Sequence, residues 1–254
     1  MKERVDVILV KRGLAPTREK AQAFLMAGSV FVNGRMETKA GYNIDPEADI
    51  QITKDPIPYV SRGGLKLEAA LDDFEIDLEG CVCIDIGAST GGFTDLMLER
   101  GAEKVYAIDV GYGQLDYKLR IDPRVVNMEK TNVRLLDTET IPEKADFISI
   151  DVSFISLKLV LPVAKKLLSP VNSSIVCLVK PQFEAERGQV GKGGIIRDPV
   201  IHEEVLAKVR GYASDNGLIV ENEIDSPIFG TKGNKEFLMQ LRVLNEEVKE
   251  EVHE

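Results

Sequence analysis

From Leu65 onward, short apolar runs alternate with longer stretches whose apolar residues recur every three or four positions. The runs cover 81–86, 104–109, 125–128, 146–151, 174–179, 218–223 and 236–243. They are rich in Val and Ile, and Ser174-Ile-Val-Cys-Leu-Val is apolar almost throughout. Strands alternating with helices imply βαβ units, hence an α/β fold with a mostly parallel seven-stranded sheet and helices on both faces. The helix that opens this region, Leu65 to Phe74, offers Leu65, Ala69, Leu71 and Phe74 for packing.

Residues 1–54 carry a different pattern, that of a small α+β module. Val5, Ile8 and Leu9 repeat at helical spacing, and this helix should end near Gly13. Thr17 is placed to cap a second helix that buries Ala21, Phe24 and Leu25 and stops at Gly28. Val30-Phe-Val then reads as a strand entering a tight turn at Asn33-Gly34, and Asp49-Ile-Gln-Ile as another strand. Residues 55–64, with two prolines and a Gly-Gly pair, read as a linker. The main domain then spans 65–245, and 246–254 forms an acidic tail of five Glu against one Lys.

Composition narrows the classes. At 254 residues and 44% hydrophobic content the chain suffices for one medium and one small domain with real cores. The net charge of −10 argues against a nucleic-acid partner when taken alone. It is unevenly spread, however: residues 1–64 hold ten Lys/Arg against eight Asp/Glu, a net +2, which leaves −12 for the rest. Cys81, Cys83 and Cys177 fall in strand-like runs without metal-ligand spacing, and His202 and His253 are the only histidines. Reduced thiols and no metal site are expected. The start of the chain lacks the apolar run of a signal peptide, and no stretch approaches the ~18 apolar residues of a membrane span. A cytoplasmic protein without membrane partners is the expectation.

The candidate chemistry centres on residues 81–95, where an apolar strand meets Asp85 and then the turn Gly87-Ala88-Ser89-Thr90-Gly91-Gly92-Phe93. A dinucleotide site wants glycine where Ser89 stands, so close approach of a pyrophosphate is disfavoured. An acidic residue ahead of the turn suits a cofactor with a cationic amino-acid end. Asp109, 22 residues beyond Gly87, is placed to accept both hydroxyls of an adenosine ribose. Together these features describe S-adenosylmethionine. A tight turn with Asp85 as a helix cap is the plainer alternative.

Four charged residues fall where elements meet the same sheet edge. Lys66 lies in the first turn after the linker, Asp151 and Lys180 end strands, and Glu236 opens the last one. A lysine ending a buried strand is costly, because desolvation disfavours its ammonium. The bland reading pairs Lys180 with Asp151 structurally. Their convergence with Lys66 and Glu236 on one edge favours chemistry, with one lysine accepting a proton and the carboxylates balancing charge.

Several motifs resemble the TlyA family, also labelled hemolysin A: Ser-Arg-Gly-Gly-Leu-Lys66, Asp85-x-Gly-Ala-Ser-Thr-Gly-Gly-Phe-Thr, Asp109-Val-Gly-Tyr-Gly-Gln-Leu, Asp151-x-Ser-Phe-Ile-Ser, Val-Lys180-Pro-Gln-Phe-Glu and Gly-Asn-x-Glu236. The likeness covers nearly the whole chain. It implies a Rossmann-like class I fold of the FtsJ type, a ribose 2′-O-methyltransferase, joined to an RNA-binding domain like that of ribosomal protein S4. On that comparison Lys66, Asp151, Lys180 and Glu236 form a Lys-Asp-Lys-Glu catalytic tetrad centred on Lys180. Arg4, Arg18, Lys20 and Lys39 would contact RNA phosphates, which position the protein without reading sequence.

The resemblance implies methylation of a ribosomal RNA ribose, at a cytidine, within ribosomal subunits. A non-enzymatic RNA-binding or ribosome-assembly protein competes, although the tetrad and glycine turn are intact. A secreted hemolysin would need an export signal or amphipathic membrane element, and neither is seen. A small-molecule or DNA methyltransferase would not need residues 1–60. The glycine-rich segment 182–195 is expected to be either a mobile loop ordering over RNA or cofactor, or an ordinary surface loop.

Overall fold

The computed structural model describes residues 2–32, 35–52, 58–186, 188–191, 193–230 and 233–243. The chain divides into two units, Met1–Arg62 and Gly63–Glu254. Within the first, strand β1 (Glu3–Arg4) leads into helix α1 (Val5–Lys11), and α2 (Arg18–Met26) follows. Thr17 caps α2 as its sequence position suggests, its hydroxyl accepting from the Lys20 N–H at 3.2 Å. Strands β2 (Val30–Val32), β3 (Arg35–Met36) and β5 (Ile50–Ile52) form an antiparallel sheet with β2 central, and β4 (Asn43–Ile44) pairs with β1. Val5, Ile8, Leu9, Ala21 and Leu25 form its core with Val30 and Ile44. The expected Asn33-Gly34 turn lies outside the described residues, as do 55–57 of the linker and the acidic tail 246–254.

The second unit opens with α3 (Gly63–Asp73), then β6 (Val82–Ile86), α4 (Gly92–Glu99), β7 (Lys104–Ile108), α5 (Tyr117–Arg120) and β8 (Val125–Met128). After β9 (Phe147–Ile150) come α6 (Leu161–Leu167), β10 (Ser174–Val179), α7 (Pro181–Glu184), α8 (Pro199–Asp215), β11 (Leu218–Asp225) and β12 (Phe237–Val243). The seven strands are ordered β11-β12-β10-β9-β6-β7-β8. The five from β10 to β8 are parallel, and β12 runs antiparallel to both its neighbours.

Strands β6, β9 and β10 are buried almost throughout, which accounts for their continuous apolar runs. One core joins alternate strand residues such as Ile84, Ile108, Ile150 and Cys177 to Leu161 and Ala164 of α6 and Val205 and Val209 of α8. Helices α3 and α4 pack on each other, with α4 against β6 and β7 and α3 against β12. The α3 face departs from expectation. Leu67, Ala70, Leu71 and Phe74 are buried, while Leu65 and Ala69 are only partly so. The face is turned to include Lys66, which is buried there against Glu236.

From β6 the chain builds outward to β7 and β8, then returns to place β9 on the other side of β6. The carboxyl ends of β6 and β9 therefore flank a topological switch point, where open α/β sheets bind ligands.

Candidate active site

The switch point opens into a cavity of about 400 Å³, walled by Ile86, Gly87, Ser89, Asp109, Asn132 and Asp151 among others. Gly87 has φ 91°, and a Cβ there would collide with the carbonyl of Asp151, so the turn passes close to the next strand only as glycine. Asp109 follows β7 and accepts from the Ser89 N–H at 2.8 Å and the Gly111 N–H at 2.6 Å. A carboxylate has lone pairs beyond those two, so it can also meet a diol. Ile108, Val110 and Val133 supply apolar walls that a flat heterocycle needs.

Of the residues singled out in the turn, Gly87, Ser89 and Asp109 face the cavity. Ala88, Gly91, Gly92 and Phe93 are buried in the turn and the start of α4, and Thr90 is exposed beside it. Asp85 is placed behind the cavity wall and is fully buried. Its Oδ2 accepts from Thr94 N–H at 3.0 Å and Thr94 Oγ1 at 2.7 Å, and its Oδ1 from Ser149 Oγ at 3.1 Å. Burial pushes this carboxyl up to about 7, against the pull of the Thr94 and Ser149 bonds, and the Asp151 charge adds to the rise. Asp85 thus braces strand, helix and neighbouring strand, close to the plainer alternative its sequence position allows.

Gln114, Thr131, Asn132 and Arg134 also line the cavity; Gln114 belongs to the Asp109-Val-Gly-Tyr-Gly-Gln-Leu motif, while the other three carry no motif signal. The usable clue is position: Thr131 to Arg134 follow the carboxyl end of β8, as Asp109 follows that of β7.

A second cavity of about 280 Å³ is lined by Ser153, Phe154, Lys180, Gln182, Asn234 and Glu236, with Phe183, Val190 and Gly194. Ser153 and Phe154 line both cavities. Lys180 ends β10 and forms an ion pair with Asp151, which ends the adjacent β9. It also donates to Ser153 Oγ at 3.0 Å. Lys66, in the first turn of α3, meets Glu236 Oε2 at 2.6 Å in a buried pair. Gly230 makes room for that carboxylate, because a Cβ at 230 would strike Glu236. The four charged residues thus form two cation–carboxylate pairs, with Lys180 and Glu236 facing one cavity. Removing one partner of a buried pair costs about 3–5 kcal/mol, so each residue of a pair holds the other's place.

Phe154 adopts φ 64° and is 91% exposed, with its ring 5.0 Å from that of Phe183. The glycine-rich segment beyond α7 is tied down at its described residues. Asn234 Oδ1 accepts from the Ile196 N–H at 3.0 Å, and its Nδ2 donates to Gly194 O at 2.9 Å. Arg187 and Lys192 lie outside the described residues. Among the described residues no group of three or more His, Cys, Asp or Glu is placed to hold a metal.

In the first unit, Asp6 is fully buried and gathers four hydrogen bonds from three residues. Arg4 gives Nε at 3.0 Å and Nη2 at 2.9 Å, Arg18 gives Nε at 3.0 Å, and Gln22 gives Nε2 at 3.0 Å. These bonds hold the Asp6 carboxyl well below the usual carboxylate range, the Arg4 bond most strongly. Arg4 and Arg18 are nonetheless about half exposed. Lys39 is exposed, and the Lys20 ammonium stands 5.5 Å from the centre of the Phe24 ring.

Residues 59–243 match the FtsJ-like methyltransferase family, and residues 3–50 match the S4 domain. The chain is 44% identical over 240 residues to the 16S/23S rRNA (cytidine-2′-O)-methyltransferase TlyA of Mycobacterium tuberculosis, covering 94% of this chain and 89% of that protein. It is 45% identical over 236 residues to Hemolysin A of Brachyspira hyodysenteriae, covering 92% and 98%. A solved structure bearing a hemolysin label, from Streptococcus thermophilus, is 50% identical with a TM-score of 0.74, covering 94% and 88%. With the glycine turn, the acidic strand ends and the two lysine–carboxylate pairs in place, the chain belongs to the FtsJ-like methyltransferase family, with an S4 domain ahead of its catalytic unit.

Proposed function

We propose that this protein transfers a methyl group from S-adenosylmethionine to the 2′-hydroxyl of a ribose in ribosomal RNA, at a cytidine. The observation that carries this reading is the position of Lys180. It lines the second cavity and is held there by Asp151, which lines the first, and by Ser153, which lines both. The first cavity suits the cofactor: Asp109 for a ribose diol, apolar walls for an adenine, and a close backbone at Gly87. When bound, the cofactor supplies an electrophilic methyl group on a sulfonium.

A ribose hydroxyl is a weak acid and a poor nucleophile, so the chain must orient it and take its proton. Lys180 Nζ is the group for both tasks: its ammonium gives a proton to Asp151 or to water, and the free amine then takes the hydroxyl proton as the methyl group is transferred. Asp151 holds the direction of Lys180, while Glu236, paired with Lys66, lines the same cavity and balances its charge. Holding two reacting atoms in line accounts for much of the rate in such reactions. The exposed ring of Phe154 offers a stacking face for an unpaired base, the usual way sequence-specific proteins engage single-stranded RNA. The S4 domain supplies backbone affinity through Arg18, Lys20 and Lys39, with Arg4 beside them. Ribosomal subunits in the cytoplasm are the substrate on this reading.

The test is to incubate the protein with methyl-labelled S-adenosylmethionine and undermethylated ribosomal subunits, beside Lys180→Ala. Label should appear at a ribose 2′-oxygen and fall by at least roughly a hundredfold in the variant. Cofactor binding should persist, because Lys180 does not line the first cavity, with a far smaller loss than in turnover from freeing Asp151, which does. Label on a base or a protein, or label unaffected by Lys180→Ala, would refute the assignment.

A further inference from the structure

Glu184 is a buried carboxylate that the reaction above does not use. It closes α7, four residues beyond Lys180, and is 8% exposed. Its Oε2 accepts from Ser156 Oγ at 2.6 Å and its Oε1 from the Leu157 N–H at 2.7 Å. Burial pushes this carboxyl up from its ordinary value, while those two bonds pull it back. Both oxygens of this buried carboxyl are thus committed to one neighbouring stretch of chain, which they hold in place.

What it holds is the far end of the segment 151–157. The near end is anchored where the Asp151 N–H meets Ile86 O at 2.9 Å. Between these anchors lie Ser153, reached by Lys180, and Phe154, whose ring meets Phe183. The left-handed backbone of Phe154 is strained, and such conformations persist only where the surroundings impose them. Lys180, Phe183 and Glu184 come from one stretch of chain and grip this segment at three points. Since Ser153 and Phe154 line both cavities, the segment's position sets the two cavities relative to each other.

We propose that Glu184 is a positioning residue for methyl transfer: its carboxylate fixes the segment 151–157 against α7 and so sets Ser153 and Phe154 relative to Lys180. This rests on the methyl-transfer reading above. A simple cap on the short helical turn Leu157–Leu159 would stabilise the fold without affecting turnover, and that difference is measurable.

Wild type, Glu184→Ala, Glu184→Gln and Ser156→Ala would be compared well below their melting temperatures. The readouts are kcat and KM for ribosomal RNA, and amide hydrogen exchange across 152–157. Glu184→Ala should lower kcat by roughly tenfold to a hundredfold, as expected for a displacement near 1 Å, and speed exchange in 152–157 but not in β6. Glu184→Gln keeps an oxygen for the Leu157 N–H and should recover most of the rate. Ser156→Ala, which removes one of the two bonds, should give a smaller fall and serves if Glu184→Ala does not fold. Wild-type turnover per folded molecule in Glu184→Ala, or in Ser156→Ala where the former is unfolded, overturns the proposal. If the wild type itself methylates no RNA, the methyl-transfer reading fails. Exchange then judges Glu184 separately, and unchanged exchange in the variants overturns its hold on the segment.

Discussion

Asp85 and Asp109 stand at the ends of neighbouring parallel strands, yet burial gives them different work. Asp109 reaches the cavity edge, whereas Asp85 is sealed behind it with three donors. Because the Asp85 carboxyl sits at about 7 in the fold, it binds its proton more tightly than in the unfolded chain. Its contribution to stability is therefore full below about pH 4 and is lost as pH rises through about 7. Each tenfold tightening of proton binding on folding is worth about 1.4 kcal/mol. Asp85→Asn removes that titration, and the Ser149 hydroxyl can turn to accept from the new amide. Urea unfolding at pH 5 and pH 7.5 should show a wild-type loss that the variant lacks. A gap between the two proteins that is the same at both values would refute the assignment. Asp6 behaves oppositely: its lowered carboxyl stabilises the first unit above the ordinary carboxylate range and stops doing so in acid.

The proposed catalytic edge is assembled from the ends of elements rather than from their middles. Lys66 comes from the first turn of α3, Asp151 and Lys180 from the ends of β9 and β10, and Glu236 from the residue before β12. Strand ends are fixed by the ladder, so the two pairs inherit the sheet's precision. The connecting loops need anchors of their own, and Asn234 is one. Its buried amide joins the approach to β12 with residues 194–196, beside the second cavity. Asn234→Ala leaves the Ile196 N–H and Gly194 carbonyl without these partners, a loss of about 1–3 kcal/mol for a buried group. The variant should melt earlier and exchange faster at the Ile196 amide, and an unchanged Ile196 amide would count against the anchor.

Charge divides the molecule as its two units do. The methyltransferase unit is acidic and the first unit carries the small basic excess, so on the proposed reading a polyanion is met by residues 1–62. If Lys20 and Lys39 meet phosphates, replacing both by Ala should weaken subunit binding uniformly across sequences. The slope of log affinity against log salt should fall by roughly 0.7–0.9 for each phosphate that is no longer neutralised. Cofactor affinity, set by residues of the other unit, should not move. A salt slope equal to that of the wild type would remove these two lysines from the RNA-binding face.

Much of this architecture is legible in the amino-acid sequence. The apolar runs match the seven strands within one or two residues, and most plainly at β6, β9 and β10, because a parallel strand buried on both faces has no polar side to disguise it. Thr17 as cap and the tight turn at Gly87 are readable because each depends on local backbone geometry that only a few residue types satisfy. Residues separated by long stretches of chain pose a different problem. Nothing local pairs Lys66 with Glu236 across 170 positions, turns the α3 face to bury that lysine, sinks Asp85 behind the cavity, or aims Glu184 at Ser156 and Leu157. Composition and spacing determined which side chains stand at the carboxyl edge. Strand order and packing decided which of them touch, because burial and ion pairing are set by neighbours that only the folded sheet brings together.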